Sequence, residues 1–442
     1  MSKNLANIPF APRRWPFFYG WFILAAGTIG FILSAPGQTI GISPFTKPLR
    51  ESLGLTQTAL SLAYMVGTLA SASLLTHVGR FYDRFGARMT SMVAGLGMGL
   101  VLLYLSQATG ISAVASQLLP LQSPQHVSFI VLVLGFFLLR FFGQSMLTMA
   151  SSNMIMKWFK THRGLAGGIM NVFTPLGFSL APQIFNHINE DKGWSRTWIL
   201  TALAVGVGFT LFAAVFYRDN PEDCGLQPDG KTSANAKKKQ SGWDGGIFTL
   251  PEARQTFSFW AFNLALAMNA LYTTAITFHI ESIFEQAGRT GTAAFRIFLP
   301  ISFISIALGL IAGWFSDYTR LKFLLMTMTA GMLASMLGIL YLRSNFGYIL
   351  IIIGNGVSQA LFGLLLSITW PRFFGKKHLG AISGFQRTWT VSFSSLGPHL
   401  FSLSLENLGS YRPSVLFCAL FTALLFGTAL LANKPSQPGN DP

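Results

Sequence analysis

Two arginines lie inside long apolar stretches of the sequence, where a charged side chain is costly and normally faces a cavity. Arg140 is flanked by leucine and phenylalanine pairs, and Arg387 lies ten residues after Lys377. All 15 carboxylates fall in loops or near the ends of apolar stretches. A guanidinium without an acidic partner suits a carboxylate or similar oxyanion, because its planar fork of donors matches such a group. The two arginines therefore predict a substrate-anion site, with bonds to backbone carbonyls as the alternative for Arg140.

Other polar side chains within the apolar stretches are candidates to line the substrate path. A polar group inside a membrane needs a hydrogen-bond partner, so hydrogen bonding to another helix is the alternative role for each of them. The candidates for substrate contact are Gln144, Asn171, Tyr272, Gln359 and Gln386, and further polar positions are Gln38, Tyr64, Asn269 and Asn355.

His279 is the candidate for proton coupling, because histidine titrates near neutral pH; a polar residue at the membrane interface is the alternative. The lack of acids inside the stretches favours anion exchange, or co-transport in which the substrate carries the proton. The sequence predicts no cofactor and no metal, since Cys224 and Cys418 are far apart and suggest neither a bridge nor a ligand set.

The composition indicates a membrane protein. Of 442 residues, 51% are hydrophobic and 10% are charged, whereas an ordinary soluble domain has about 25% charged residues. This excludes a soluble globular enzyme, a disordered chain and a disulfide scaffold. The net charge of +16 is not typical of nucleic-acid binding, because the basic residues are few and scattered among apolar runs.

Twelve apolar stretches are long enough to cross a bilayer as helices, which need about 20 residues. Helices are favoured over strands because the runs are unbroken rather than alternating. The first is interpreted as an uncleaved span, since it is too long for a signal peptide. The stretches are approximately 18–42, 56–78, 89–108, 128–153, 164–186, 197–217, 257–279, 293–313, 322–342, 346–368, 380–402 and 413–432.

The placement of Lys and Arg predicts both termini in the cytoplasm, since most basic residues then lie on the inner side. The predicted organisation is an N-terminal six-helix bundle over 1–217, a cytoplasmic linker over 218–256 and a C-terminal six-helix bundle over 257–442. A second long connection, over 106–127, is expected on the outer face.

The two halves resemble each other in sequence. Gly79 and Asp83 recur 234 positions later as Gly313 and Asp317, and at a smaller offset Lys157 matches Arg372. The distance between matching positions falls from 234 to 215 residues after the 106–127 connection, as expected if that connection is longer in the first half than in the second. Parallel halves related by an axis along the membrane normal are an architecture of secondary transporters.

The segment from Gly79 to Arg88 resembles the signature loop between spans two and three of the major facilitator superfamily, and Gly313–Asp317 resembles its degenerate second copy. With twelve spans and a mid-chain linker, the resemblance covers nearly the whole chain. It implies an all-α membrane protein of two pseudo-symmetric bundles, working as a monomer by alternating access. It also implies a conformational latch between the halves, for which the candidate residues are Gly79, Asp83, Arg84, Gly86, Arg88 and Asp317. Anchoring at the lipid surface is the alternative for these charges.

Several further segments are similar to bacterial members related to the monocarboxylate porters and oxalate/formate antiporters, among them Tyr19–Trp21 and Asn220–Gly230. That resemblance implies a transporter of a small organic anion (a monocarboxylate or dicarboxylate) in the bacterial cell membrane, as an exchanger or a proton-linked symporter. It supports Arg387, because the antiporters have a basic residue on span eleven that contacts the anion. Both of these families have a basic residue inside span eight. This chain departs from that pattern, because the corresponding segment Ser305–Gly313 is uncharged.

Three other functions are alternatives to anion transport. An exporter of drugs or other small solutes is the main alternative, although a cation exporter would need a carboxylate inside the spans. His187 and Asp191 have the spacing of an acyltransferase motif, but no nucleophile or cofactor motif accompanies them, so no enzyme is predicted. A receptor that does not transport is the last alternative.

Overall fold

The computed structural model describes residues 7–118, 123–229, 248–375 and 377–435, and every regular element within them is helical. The chain forms two compact units, residues 1–237 and 238–442. The part of the predicted linker that spans 230–247 lies outside the described residues, so the predicted boundaries of the linker stay predictions.

Within its described residues the first unit contains six long helices, and α3 packs against both α4 and α6. The helices are α1 (Tyr19–Ile32), α2 (Gln57–Ser73), α3 (Leu75–Ser106), α4 (Pro124–Trp158), α5 (Arg163–Lys192) and α6 (Trp194–Phe216).

The described part of the second unit also contains six long helices, and the pairs α7–α11 and α9–α10 have the most extensive contacts. They are α7 (Phe257–Gln286), α8 (Gly291–Phe315), α9 (Leu321–Leu340), α10 (Asn345–Phe374), α11 (Leu379–Leu408) and α12 (Arg412–Leu431).

These twelve helices correspond to the twelve predicted stretches and confirm the all-α membrane class. Nine of the helices in the described part of the chain are long and apolar enough to cross a bilayer. The others are α1, with 14 residues, α2, with 17, and α11, which has the length but is too polar.

Two stretches differ in detail from the prediction. The stretch predicted over 18–42 is not one helix: α1 ends at Ile32, and a 3-10 turn at Ala35–Gly37 follows, where Pro36 supplies no amide donor. The connection predicted over 106–127 is not simply a loop, because a helix covers Ala108–Leu118.

Glycines allow close helix packing in both units. A Cβ on Gly99 would lie 2.5 Å from the Cα of Gly206 on α6. In the second unit, a Cβ on Gly338 of α9 would lie 2.6 Å from the backbone nitrogen of Ile351 on α10. These contacts bring the backbones of neighbouring helices together within each unit.

Candidate functional site

Arg140 lies near the middle of α4, 16 residues from its first residue and 18 from its last. This places it about 24 Å and 27 Å from the two ends at 1.5 Å per residue. It opens a π-helical segment, Arg140–Leu147, a type of distortion that often marks functional positions. The side chain is 3% exposed. A cation is therefore buried at the depth where it is most costly.

The contacts of Arg140 are to a carbonyl and an aromatic ring. Nη1 donates to the backbone oxygen of Gly37 at 3.2 Å, and the guanidinium lies 5.2 Å from the ring centroid of Tyr64. Within the described residues, no carboxylate pairs with it and Nε has no hydrogen-bond partner. The predicted carbonyl bond is thus present, but it uses only part of the donor capacity of the fork.

The turn that supplies the Gly37 carbonyl is packed directly on the π-helical segment. A Cβ on Gly37 would lie 2.7 Å from both the Cα of Gly143 and the carbonyl oxygen of Leu139. Glycine is needed here for close backbone approach. Nearby, the hydroxyl groups of Tyr64 and Thr39 are 2.6 Å apart. Arg140 is therefore contacted from two segments of the first unit, the Gly37 turn and α2.

Arg387 is exposed on α11 of the second unit and forms no ion pair within the described residues. Its neighbour Gln386 is buried, and its Nε2 donates to Thr390 Oγ1 at 2.6 Å. The predicted residues at 386 and 387 thus differ: Arg387 is exposed, and Gln386 is engaged within its own helix.

The remaining substrate candidates are placed in different surroundings. Tyr272 is buried, and its hydroxyl lies 2.8 Å from Ser335 Oγ, which also accepts from Asn355 Nδ2 at 2.8 Å. This network satisfies the polar groups of three helices of the second unit. Gln144 and Gln359 are half-buried and Asn171 is exposed.

His279 is buried on α7 among groups of the second unit. Nε2 lies 2.8 Å from the carbonyl oxygen of Pro398 and 3.3 Å from Ser402 Oγ, and Nδ1 lies 3.4 Å from the hydroxyl of Tyr411. The ring therefore links α7 to α11 and to the residue that precedes α12. Its predicted role in coupling stays a prediction.

The segment predicted as a signature loop is helical up to a break at Gly86, where φ is +79°. The helix that restarts there is capped by Asp219, whose Oδ1 accepts from the backbone amide of Arg88 at 2.8 Å. Asp83 and Arg84 are exposed, while Gly79 and Arg88 are half-buried. In the repeat copy, Asp317 Oδ1 pairs with Arg372 Nη2 at 2.6 Å. The latch itself stays a prediction.

Residues 217–229, which follow α6, hold several helix ends of the first unit together. Asp229 accepts hydrogen bonds from the amides of Lys160, Thr161 and His162 at 2.7–3.2 Å, next to the start of α5. Burial raises the pKa of Asp229, but these bonds and that of the His162 side chain together outweigh burial and lower the pKa to about 2. Burial raises the pKa of Asp219.

Sequence reasoning assigned most of this segment to the linker and missed its structural role. The available signal was Asp229 itself, because an aspartate can cap a helix and this one follows a segment rich in turn-forming residues. Those residues are Asn220, Pro221, Gly225 and Pro228.

The profile of the Major Facilitator Superfamily matches residues 17–398. The chain belongs to the major facilitator superfamily. Superfamily members are transporters, and the twelve apolar helices in two units agree with that membership. The superfamily resemblance identified from the Gly79–Arg88 segment and its repeat is confirmed.

Among curated relatives, the chain is similar to the probable sulfoacetate transporter SauU of Cupriavidus necator. The two are 27% identical over 184 residues, which is 41% of this chain and 38% of the length of that relative. The matched part thus spans well under half of the relative.

The fold is similar to that of a bacterial homologue of the human lysosomal transporter Spinster. Its inward-facing unoccupied structure has a TM-score of 0.67 at 15% identity and covers 94% of this chain and 97% of that one. Its inward-facing occupied structure has a TM-score of 0.68 at 13% identity and covers 95% and 97%. At such identity the likeness concerns the fold alone.

Proposed function

We propose that this transporter moves a small organic anion across the bacterial cell membrane by alternating access, with both termini in the cytoplasm. The observation that carries the proposal is Arg140, a buried cation at mid-helix whose fork is only partly used by Gly37 and Tyr64. An intramembrane cation normally serves a substrate, an ion or a proton path. Arg387 is the second proposed anion contact, because it is exposed within a predicted span.

The substrate class is a carboxylate or a related oxyanion. The resemblance to monocarboxylate porters and oxalate/formate antiporters suggests monocarboxylates and dicarboxylates, and the similarity to a probable sulfoacetate transporter adds sulfonates to the compounds that merit testing. A sulfonate and a carboxylate both offer coplanar oxygen pairs to a guanidinium fork, so one site can accept either group.

Exchange, or symport in which the substrate carries the proton, fits the absence of carboxylates from the middle of the spans. His279 is the proposed coupling residue if protons move separately. Asp83 and Asp317 are proposed to act in a conformational latch. Export of other small solutes is the alternative function, and a cationic solute would need an acidic residue in the middle of a span, where the sequence has none.

The test is uptake of labelled anions by liposomes that contain the purified full chain. Sulfoacetate, lactate and oxalate would be compared with a cationic drug, with the same anion or none inside the vesicles. We expect trans-stimulated uptake of at least one anion and none of the cation. Uptake of the cation alone would support the exporter and overturn the anion proposal.

Arg140→Gln and Arg387→Gln should each reduce anion uptake by at least about tenfold, since a lost charge-assisted contact costs roughly 1.5–3 kcal/mol. Arg196→Gln is the matched control, because Arg196 is an exposed arginine near the start of α6. Thermal unfolding of each variant in detergent separates loss of transport from loss of folding. Normal uptake by both span variants would contradict the proposed site.

A further inference from the structure

A cavity of about 520 Å³ lies at one end of the second unit, where α8 and α10 end, α9 begins and α12 ends. Four of its lining residues are basic and one is acidic. The charged and amide side chains that line it are those of Asp317, Arg320, Lys322, Arg372, Asn433 and Lys434.

The positive charges of this basic cavity exceed what its own acid can neutralise. Asp317 is engaged by Arg372 at 2.6 Å. Lys322 Nζ donates to the backbone oxygen of Leu430 at 3.3 Å and to Asn433 Oδ1 at 2.9 Å, which holds the ammonium at the cavity wall. Arg320 is exposed and has no ion pair within the described residues. The cavity therefore keeps a surplus of positive charge and suits an anionic ligand.

Large exposed aromatic side chains flank the same end of the unit. Trp314 and Tyr318 are 68% and 75% exposed, and their ring centroids are 5.3 Å apart. Phe323, in the first turn of α9, is also exposed. Trp and Tyr concentrate where a membrane-spanning helix meets the headgroup region. We therefore expect the cavity at the level of the lipid phosphates.

We propose that the basic cavity binds the phosphate headgroup of an anionic phospholipid. Basic pockets between spanning helices recognise such headgroups through charge, while the acyl chains stay along the apolar helices. The neighbouring aromatic side chains favour a lipid over a soluble phosphate compound, since an interfacial ring contributes only to a ligand that is itself in the bilayer. The proposal is independent of the transported substrate.

The test is native mass spectrometry of the delipidated full-length protein with added cardiolipin, phosphatidylglycerol or phosphatidylethanolamine. We expect one tightly retained anionic lipid per protein and much weaker retention of the zwitterionic lipid. Arg320→Gln with Lys322→Gln should lower the affinity for the anionic lipid on the order of tenfold or more. Arg320→Gln alone is the second variant, because it leaves the Lys322 contacts to α12 intact.

The matched control is Arg343→Gln with Arg412→Gln. These arginines line a cavity of about 380 Å³ at the opposite ends of the same two helices, α9 and α12. The control removes the same charge and should change lipid affinity less than about twofold, since it spares the basic cavity. Equal losses in both double variants would show unspecific charge attraction and overturn the proposal.

Competition with inorganic pyrophosphate distinguishes a lipid headgroup from a soluble phosphate compound as the ligand of the basic cavity. If it fails to displace the lipid at millimolar concentration, the lipid headgroup is the ligand. If pyrophosphate alone binds with the same dependence on Arg320 and anionic lipid does not, the cavity is a site for a soluble phosphate compound and the proposal is wrong.

Discussion

The carboxylate of Asp219 occupies the space that a side chain at Gly86 would need. A Cβ built on Gly86 would overlap the carboxylate atoms of Asp219, and the backbone there has a φ of +79°. The same carboxylate accepts a hydrogen bond from the amide of Arg88 at 2.8 Å. Gly86 thus interrupts the helix and Asp219 caps the helix that follows, so the two residues form one structural element of the first unit.

Gly86→Ala should destabilise the first unit by several kcal/mol, because it combines a left-handed backbone with an overlap that displaces the cap. Thermal unfolding in detergent would measure the loss. Gly79→Ala is the control, since Gly79 is helical and a Cβ there would meet nothing within 4 Å. Equal unfolding temperatures for the two variants would show that the Asp219 cap contributes no stability.

Asp229→Asn should remove a stabilising contribution that depends on pH. The pKa of Asp229 is lowered to about 2 in the folded protein, against about 3.9 for an unperturbed aspartate. The contribution is therefore fully present above pH 4 and is lost as the pH falls towards 2. The difference in unfolding temperature between wild type and variant should shrink over that interval.

Asp191→Asn is the control for this pH dependence, because Asp191 is an exposed carboxylate at the other end of α5. Its unfolding temperature should follow that of the wild type at every pH. A constant gap between wild type and Asp229→Asn from pH 7 to pH 2 would contradict the predicted linkage.

Asp83→Asn should slow transport turnover more than it weakens substrate binding, as expected for a residue that acts in a conformational step. The measurements are the maximal rate of uptake by liposomes and substrate affinity from a thermal-shift titration. Because Asp83 is exposed, its replacement should leave folding intact. Unchanged turnover would identify the segment as a surface anchor.

His279→Gln tests coupling against packing. If His279 carries protons, uptake driven by a pH gradient should fall strongly while exchange at equal pH persists. If it only joins α7 to Pro398 and Tyr411, both activities and the unfolding temperature should fall together. Ser282→Ala is a suitable control, because Ser282 Oγ accepts a hydrogen bond from Tyr411 without contributing a titratable group.

The sequence is sufficient to predict the helical spans and the superfamily, because apolar length and the repeated Gly79 and Gly313 segments are local signals. It also identifies Arg140 as a buried cation. It cannot predict the partner of Arg140, since the carbonyl of Gly37 lies 103 positions away in the chain. The break of α1 before that carbonyl removes the continuous helix that hydropathy alone suggested.

The role of Asp219 is missed for the same physical reason. Its capped amide is 131 positions away, so no spacing rule connects the two residues. Charge content placed Asp219 in a polar linker, whereas tertiary contacts hold it against a helix start. Tyr272 illustrates the converse: a polar residue within a span indicates a possible ligand, but its hydroxyl is already satisfied by Ser335.

The π-helical segment that begins at Arg140 also determines which way the rest of α4 faces. Such a segment accommodates one residue more than an α-helical turn, and one residue corresponds to about 100° of rotation. Because the wide turn absorbs that extra residue, deleting a single residue between Phe141 and Leu147 should restore regular winding and leave the portion ending at Trp158 facing as before, whereas the same deletion in a regular turn would rotate it by about that angle. The segment that begins at Arg140 is therefore the one part of α4 in which the loss of one residue would leave the faces of the helix beyond it unchanged.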